Sequence, residues 1–262
     1  MRHTLQRIKG KVRRTIEENR KFKRIVIFNH IPKTAGMSFH QFIKDNVPSN
    51  SILDFYELDN RDRLTEFAQQ PTSRYAAIVG HLPYSFFVGL NLPAQASHTT
   101  ILREPIERLI SYYHYIRSSK THYLHEWVMT ENVPMHQFFE SKPTMEIDNL
   151  HVRFLCTTDC SNVPIGGCTK EMLEEAKQNI VEKFDVFGLQ EYFDESVAAT
   201  ALVNHWKHKT SPEINRAEKK NKTTDIPKET SDLITETNQL DIQLYEYARP
   251  IFIERLKRAG LM

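Results

Sequence analysis

The stretch Phe28-Asn29-His30-Ile31-Pro32-Lys33-Thr34-Ala35-Gly36-Met37-Ser38 constrains this chain more than any other. A short apolar run, Ile25-Val26-Ile27-Phe28, precedes it, and a helix-like segment, Phe39 to Asp45, follows. Strand, Lys/Thr/Gly/Ser loop and helix N-terminus, in that order, make a phosphate cradle. The loop N–H groups and the positive end of the helix dipole face the anion. Lys33 adds a point charge, and the hydroxyls of Thr34 and Ser38 add donors. The lysine precedes the glycine, so this is not a Walker A loop. That order argues against an ordinary ATPase or GTPase.

A second stretch carries the same message. Thr99-Thr100-Ile101-Leu102-Arg103 reads as a buried strand, and Glu104-Pro105 then opens a helix through Ser111-Tyr112-Tyr113 to about Ser119. Proline in the first helical turn sacrifices no hydrogen bond. Arg103 falls at the strand's C-terminal end, where open α/β sheets take ligands. With Ser111, two turns along the helix, it suits a second phosphate.

Together these motifs resemble the sulfotransferases that use 3′-phosphoadenosine 5′-phosphosulfate (PAPS). They are most similar to the carbohydrate branch containing the heparan and uronyl 2-O-sulfotransferases. Those enzymes carry Pro-Lys-Thr-Ala-small-Thr-Ser for the 5′-phosphosulfate and Leu-Arg-x-Pro-x-x-Arg-Leu-x-Ser-Tyr for the 3′-phosphate. The resemblance implies a P-loop-NTPase-like three-layer α/β fold. It implies that Lys33, Thr34, Ala35, Gly36, Met37 (through its backbone) and Ser38 hold the 5′ end, and Arg103 and Ser111 the 3′-phosphate. It also implies a catalytic histidine after a glycine upstream of the arginine strand, which Gly80-His81 supplies. Asn149 and Arg153 correspond to a region near the acceptor, a carbohydrate hydroxyl. Met37 departs from the pattern, because the family usually has threonine there.

The 262 residues suit one α/β domain at 24–262, preceded by a basic segment at 1–23. Residues 1–24 carry ten Lys/Arg against two Glu, with Leu5, Ile8, Val12 and Ile16 at helical spacing. They suit an amphipathic helix packed on the domain, a flexible arm, or peripheral contact with an anionic membrane. No run of about 18 apolar residues appears, and no apolar signal-peptide core. The expectation is therefore a cytoplasmic location, or a trimmed form of a membrane-anchored relative. The odd set Cys156, Cys160 and Cys168 matches no disulfide framework or zinc spacing, so reduced thiols are expected. Nothing points to nucleic acid. Oligomeric state is unreadable.

Strands are expected at about 24–29, 52–55, 75–80, 98–103 and 184–189. Helices are expected at about 38–46, 60–69, 105–119, 122–130, 134–141, 145–156, 169–183, 191–207 and 229–258, the last broken near Asn238. The alternation predicts a mostly parallel sheet with helices on both faces. Residues 208–227 read as a surface loop, whose Lys219, Lys220 and Lys222 suit either solvent or closure over a cofactor.

Sulfuryl transfer by in-line displacement needs positioning and charge stabilisation. His81 is expected as general base. Lys33 is expected to neutralise charge on the bridging oxygen or to donate a proton to it. The guanidinium fork of Arg103 matches a phosphate, or else pairs with Glu104 or Glu107. His30 either supports the phosphate loop or is a satisfied structural histidine. No metal is required, since Lys33, the loop amides and Arg103 supply positive charge. Two alternatives stand: a nucleotide kinase with a degenerate loop, and a non-catalytic module that binds anionic glycans.

Overall fold

A computed structural model describes residues 24–56, 65–67, 69, 75–92, 96–207 and 226–262. The segment 1–23, most of the helix expected at 60–69, and Lys219, Lys220 and Lys222 lie outside these residues.

Five strands form one parallel sheet: β1 (Ile25–Asn29), β2 (Ile52–Phe55), β3 (Ala77–Gly80), β4 (Ala96–Leu102) and β5 (Phe184–Leu189). Their order across the sheet is β2-β3-β1-β4-β5. Every residue of β1 and β3 is buried, as expected for strands covered on both faces. Their alternate side chains enter different cores. Phe28, Ala77, Val79 and Ile101 pack with Phe39 and Phe42 of helix α1 (Gly36–Asn46) and with Val197 and Ala201 further along the chain. Ile25, Ile27, Leu53 and Ile78 pack on the opposite face with Phe87. The expected three-layer α/β architecture is therefore present.

The remaining helices are α2 (Pro105–Ser118), α3 (His125–Thr130), α4 (Met135–Ser141), α5 (Leu150–Leu155), α6 (Lys170–Glu182), α7 (Phe193–Asn204), α8 (Lys228–Thr237) and α9 (Gln239–Ala259). Helix α2 starts where expected: Pro105 stands in its first turn and the Glu104 carboxylate accepts from the Glu107 N–H at 2.7 Å. The break near Asn238 is also present, between α8 and α9. Among the described residues no helix is long and apolar enough to cross a membrane.

The helix expected at 145–156 is instead a single turn, Met145–Ile147, followed by α5. Asn149 separates them in a left-handed conformation, with φ at 46°. Long-range bonds hold it there. Its N–H donates to Asn238 Oδ1 and its Nδ2 to the Thr237 carbonyl, each at 3.0 Å. Its Oδ1 accepts from the N–H groups of Leu240 and Asp241. Asp241, fully buried, accepts from the N–H groups of His151 and Val152 in the first turn of α5, at 3.0 and 2.9 Å. This knot fastens α5 to the start of α9.

Candidate active site

Because the sheet is parallel, β1 to β4 all release the chain at one edge. Leaving that edge are His30 after β1, Tyr56 after β2, His81 after β3 and Arg103 after β4. Asn29 braces the edge. Its Nδ2 donates to the Leu82 carbonyl at 2.9 Å, and its own carbonyl accepts from the Thr100 hydroxyl at 2.8 Å.

The loop from β1 to α1 holds two non-glycine residues in the left-handed region, Lys33 (φ 71°) and Ala35 (φ 66°). Such backbone costs about 1–3 kcal/mol per residue and gathers at functional sites. Left-handed residues beside right-handed ones turn successive N–H groups toward one point, a nest for an anion. Here the nest leads directly into the N-terminus of α1. Met37 turns its side chain to solvent, so it offers only backbone, as its substitution for threonine suggests. Ser38 is buried in the first turn. Thr34 differs from expectation. Its buried hydroxyl donates to the Ile31 carbonyl at 2.8 Å, which closes the loop, so any donation to an anion comes from its backbone.

Arg103 reaches this loop. Its Nη1 donates to the Lys33 carbonyl at 3.3 Å, and its Nη2 lies 3.7 Å from Glu107 Oε2. Its Nε is buried with no hydrogen-bond partner. The pairing with Glu107 is thus present but loose, and an arginine fork held so lightly keeps donors for an anion. Ser111 lies one turn beyond Glu107 on α2 and is half-buried.

Lys33 Nζ stands 4.1 Å from the ring centroid of Tyr115, a cation–π contact. Burial and the positive field of Arg103 lower its pKa to about 8, against an opposing pull from Glu146. Tyr112 and Tyr113 are core residues, whereas Tyr115 is exposed, so only the last is open to a ligand.

His81 donates from Nδ1 to the His30 carbonyl at 2.9 Å. A carbonyl only accepts, so the proton of the neutral ring sits on Nδ1 and Nε2 keeps its lone pair. The residue is exposed at the sheet edge, with the rings of His30 and Tyr56 packed against its own. That crowding lowers its pKa below the ordinary histidine value, partly offset by the bond to His30.

Asn149 and Arg153, expected near the acceptor, are both buried with their polar atoms committed to the protein. Arg153 pairs with Asp148 and donates to the carbonyls of Asp148 and Val163 at 2.8 Å and of Pro164 at 2.7 Å. Asn149 precedes α5, so it shares no helix face with Arg153. Sequence reasoning missed Tyr56 and Glu146. Tyr56 directly follows β2, so the sheet-edge rule applied to Arg103 also reaches it.

Two curated relatives have the same sequence likeness: heparan sulfate 2-O-sulfotransferase 1 of Gallus gallus and of Homo sapiens. Each is 24% identical over 251 residues, covering 86% of this chain and 69% of the relative. The heparan-sulfate 6-O-sulfotransferase 1 of Homo sapiens is 23% identical over 279 residues, covering 88% and 66%. Among solved structures, mouse sulfotransferase SULT7A1 complexed with PAP covers 85% of this chain and 66% of its own, at 14% identity and a TM-score of 0.38. The sulfotransferase family profile runs over residues 21–248, through the loop, the histidine and the arginine strand alike. A match of that extent decides the matter: the chain belongs to the sulfotransferase family.

Proposed function

We propose that this sulfotransferase moves the sulfuryl group of PAPS to a hydroxyl of a carbohydrate, with His81 as general base. One observation carries the base: His81 Nδ1 is held as a donor by the His30 carbonyl, which leaves Nε2 of this exposed residue to accept a proton. The carbohydrate acceptor is supported by the heparan sulfate relatives.

The residues present fit PAPS. The loop nest and the start of α1 suit the 5′ end through Lys33, Thr34, Ala35, Gly36, Met37 and Ser38. The orphaned Nε and loosely held fork of Arg103, with Ser111, suit the 3′-phosphate. When bound, PAPS supplies the sulfuryl group and a phosphate leaving group. His81 Nε2 takes the acceptor hydroxyl's proton, and its lowered pKa keeps the ring neutral and ready near pH 7. The Lys33 ammonium balances negative charge at the 5′ end. These cations meet the charge demand without a metal.

Transfer from radiolabelled PAPS to heparan sulfate and to a glycan panel tests this reading. Wild type should label a glycan, and His81→Ala should lower turnover by about 10²–10⁴ while PAP still binds. Near-normal turnover in His81→Ala removes the base assignment. ATP-dependent phosphorylation without sulfation would favour the kinase instead.

A further inference from the structure

His30 is buried, and its ring meets both the phosphate loop at Gly36 and the His81 ring. One face stacks on Phe28, with centroids 5.2 Å apart and planes 10° apart. The ring lies 4.5 Å from the His81 ring, centroid to centroid. Its Nδ1 is hydrogen-bonded to Tyr56 Oη at 2.7 Å. Its Nε2 edge fills the space above Gly36, where an added Cβ would fall 1.8 Å from Nε2. The main chain of His30 does as much. Its N–H donates to the Gly80 carbonyl at 3.0 Å, and its carbonyl holds His81 Nδ1. Tyr56 also meets the His81 ring edge-on, at 5.0 Å.

A histidine that only filled the core would also take a hydrogen-bond partner such as the Tyr56 hydroxyl; His30 goes further, because its ring occupies the place of a Gly36 side chain while its carbonyl holds His81. We propose that His30, anchored by Tyr56, is a positioning residue that joins the phosphate loop to His81, so that donor site and base are set as one rigid unit. Gly36 is then required because the His30 ring occupies the place of its side chain. Tyr56 fixes the ring's rotation, and the ring and carbonyl of His30 fix the plane and tautomer of His81. The proposal deepens the reading of His81 as base and rests on it only for turnover.

The test uses the full chain in two arms that need no acceptor and one that does. In the first arm, PAP-induced thermal stabilisation is compared in wild type, Gly36→Ala, His30→Ala and the double variant. Gly36→Ala should lose most of the PAP shift, and adding His30→Ala should restore much of it, a coupling expected only of groups in contact. A full shift in Gly36→Ala, or a double variant no better than Gly36→Ala, overturns the strut. In the second arm, imidazole nitrogen NMR reads the His81 tautomer, assigned against His81→Ala. Wild type should show Nδ1–H alone, and Tyr56→Phe a mixture; an unchanged tautomer overturns the anchor. Tyr56→Phe removes a single oxygen, so it carries this arm even if His30→Ala does not fold.

In the third arm, turnover on heparan sulfate should fall about 10- to 100-fold in Tyr56→Phe, the scale of a small misplacement at a reacting group, with donor KM unchanged. In a His81→Ala background the same substitution should change nothing further. A changed tautomer with unchanged turnover condemns the base reading and spares the strut. A loss that persists without His81 condemns the strut.

Discussion

Arg103 Nη1 donates to the backbone carbonyl of Lys33 at 3.3 Å, which joins the two phosphate motifs across 70 residues of sequence. The contact brings two cationic side chains to one spot; burial disfavours the charge on both, and the field of Arg103 further lowers the affinity of Lys33 for its proton. Glu107 relieves Arg103 and Glu146 relieves Lys33, both incompletely. Burial adds to the strain. A site that gathers partly desolvated cations over a nest of amides is most stable when an anion arrives.

The alkaline limb of catalysis should belong to Lys33. Its pKa is lowered to about 8, so the ammonium is present below that pH and lost above it. His81 must be neutral, and its pKa lies below the ordinary histidine value, so activity rises through that lower range. The profile of kcat/KM, which reports the free enzyme, should therefore be a bell with its alkaline fall near pH 8. Lys33→Arg should move that fall far upward, since guanidinium stays charged. An unmoved alkaline limb assigns it to another group.

Arg153 should matter for stability and not for acceptor recognition. Removing it leaves the buried Asp148 carboxylate without its ion pair and three carbonyls without their donor. Arg153→Ala should cost about 3–5 kcal/mol in urea unfolding, with acceptor KM unchanged in the protein that remains folded. A raised KM at near-normal stability would restore its expected place by the acceptor.

Asp241 should behave as the capstone of the knot between α5 and α9. It is fully buried, holds two helix-start amides, and feels the fully buried Arg108. Burial raises its pKa to about 6, only partly countered by Arg108 and the two amides. A raised acid pKa means the unfolded chain ionises first. This group's contribution to stability therefore declines as pH rises from about 4 to 6. Asp241→Ala should nevertheless destabilise by about 3–5 kcal/mol, because the amides of His151 and Val152 lose their acceptor and buried Arg108 loses one of the two carboxylates that offset its charge, keeping Glu146. Combining it with Arg108→Met should recover part of the loss. A cost under about 1 kcal/mol would show that the pair is not coupled.

Features set by local pattern were legible before the structure. The apolar run Ile25–Phe28 marked β1, Glu104-Pro105 marked the start of α2, and a helix break was expected near Asn238. Features set by distant partners were not. Asn149 breaks a helical pattern because Asn238, Leu240 and Asp241 hold it left-handed from some 90 residues away. Thr34 reads as a ligand hydroxyl, yet the turn of its own loop brings the Ile31 carbonyl to it. Tyr56 carries no motif, and its role depends on a ring that follows a different strand.

Thermal stabilisation by 3′-phosphoadenosine 5′-phosphate, beside 5′-AMP, ADP and ATP–Mg²⁺, tests the central claim most directly in wild type and Arg103→Ala. A nucleotide that binds the folded chain raises its stability by mass action. Only the 3′-phosphorylated nucleotide should stabilise wild type strongly, and Arg103→Ala should lose most of that effect. Equal or greater stabilisation by ATP–Mg²⁺, or a PAP effect indifferent to Arg103, would contradict a site built for PAPS.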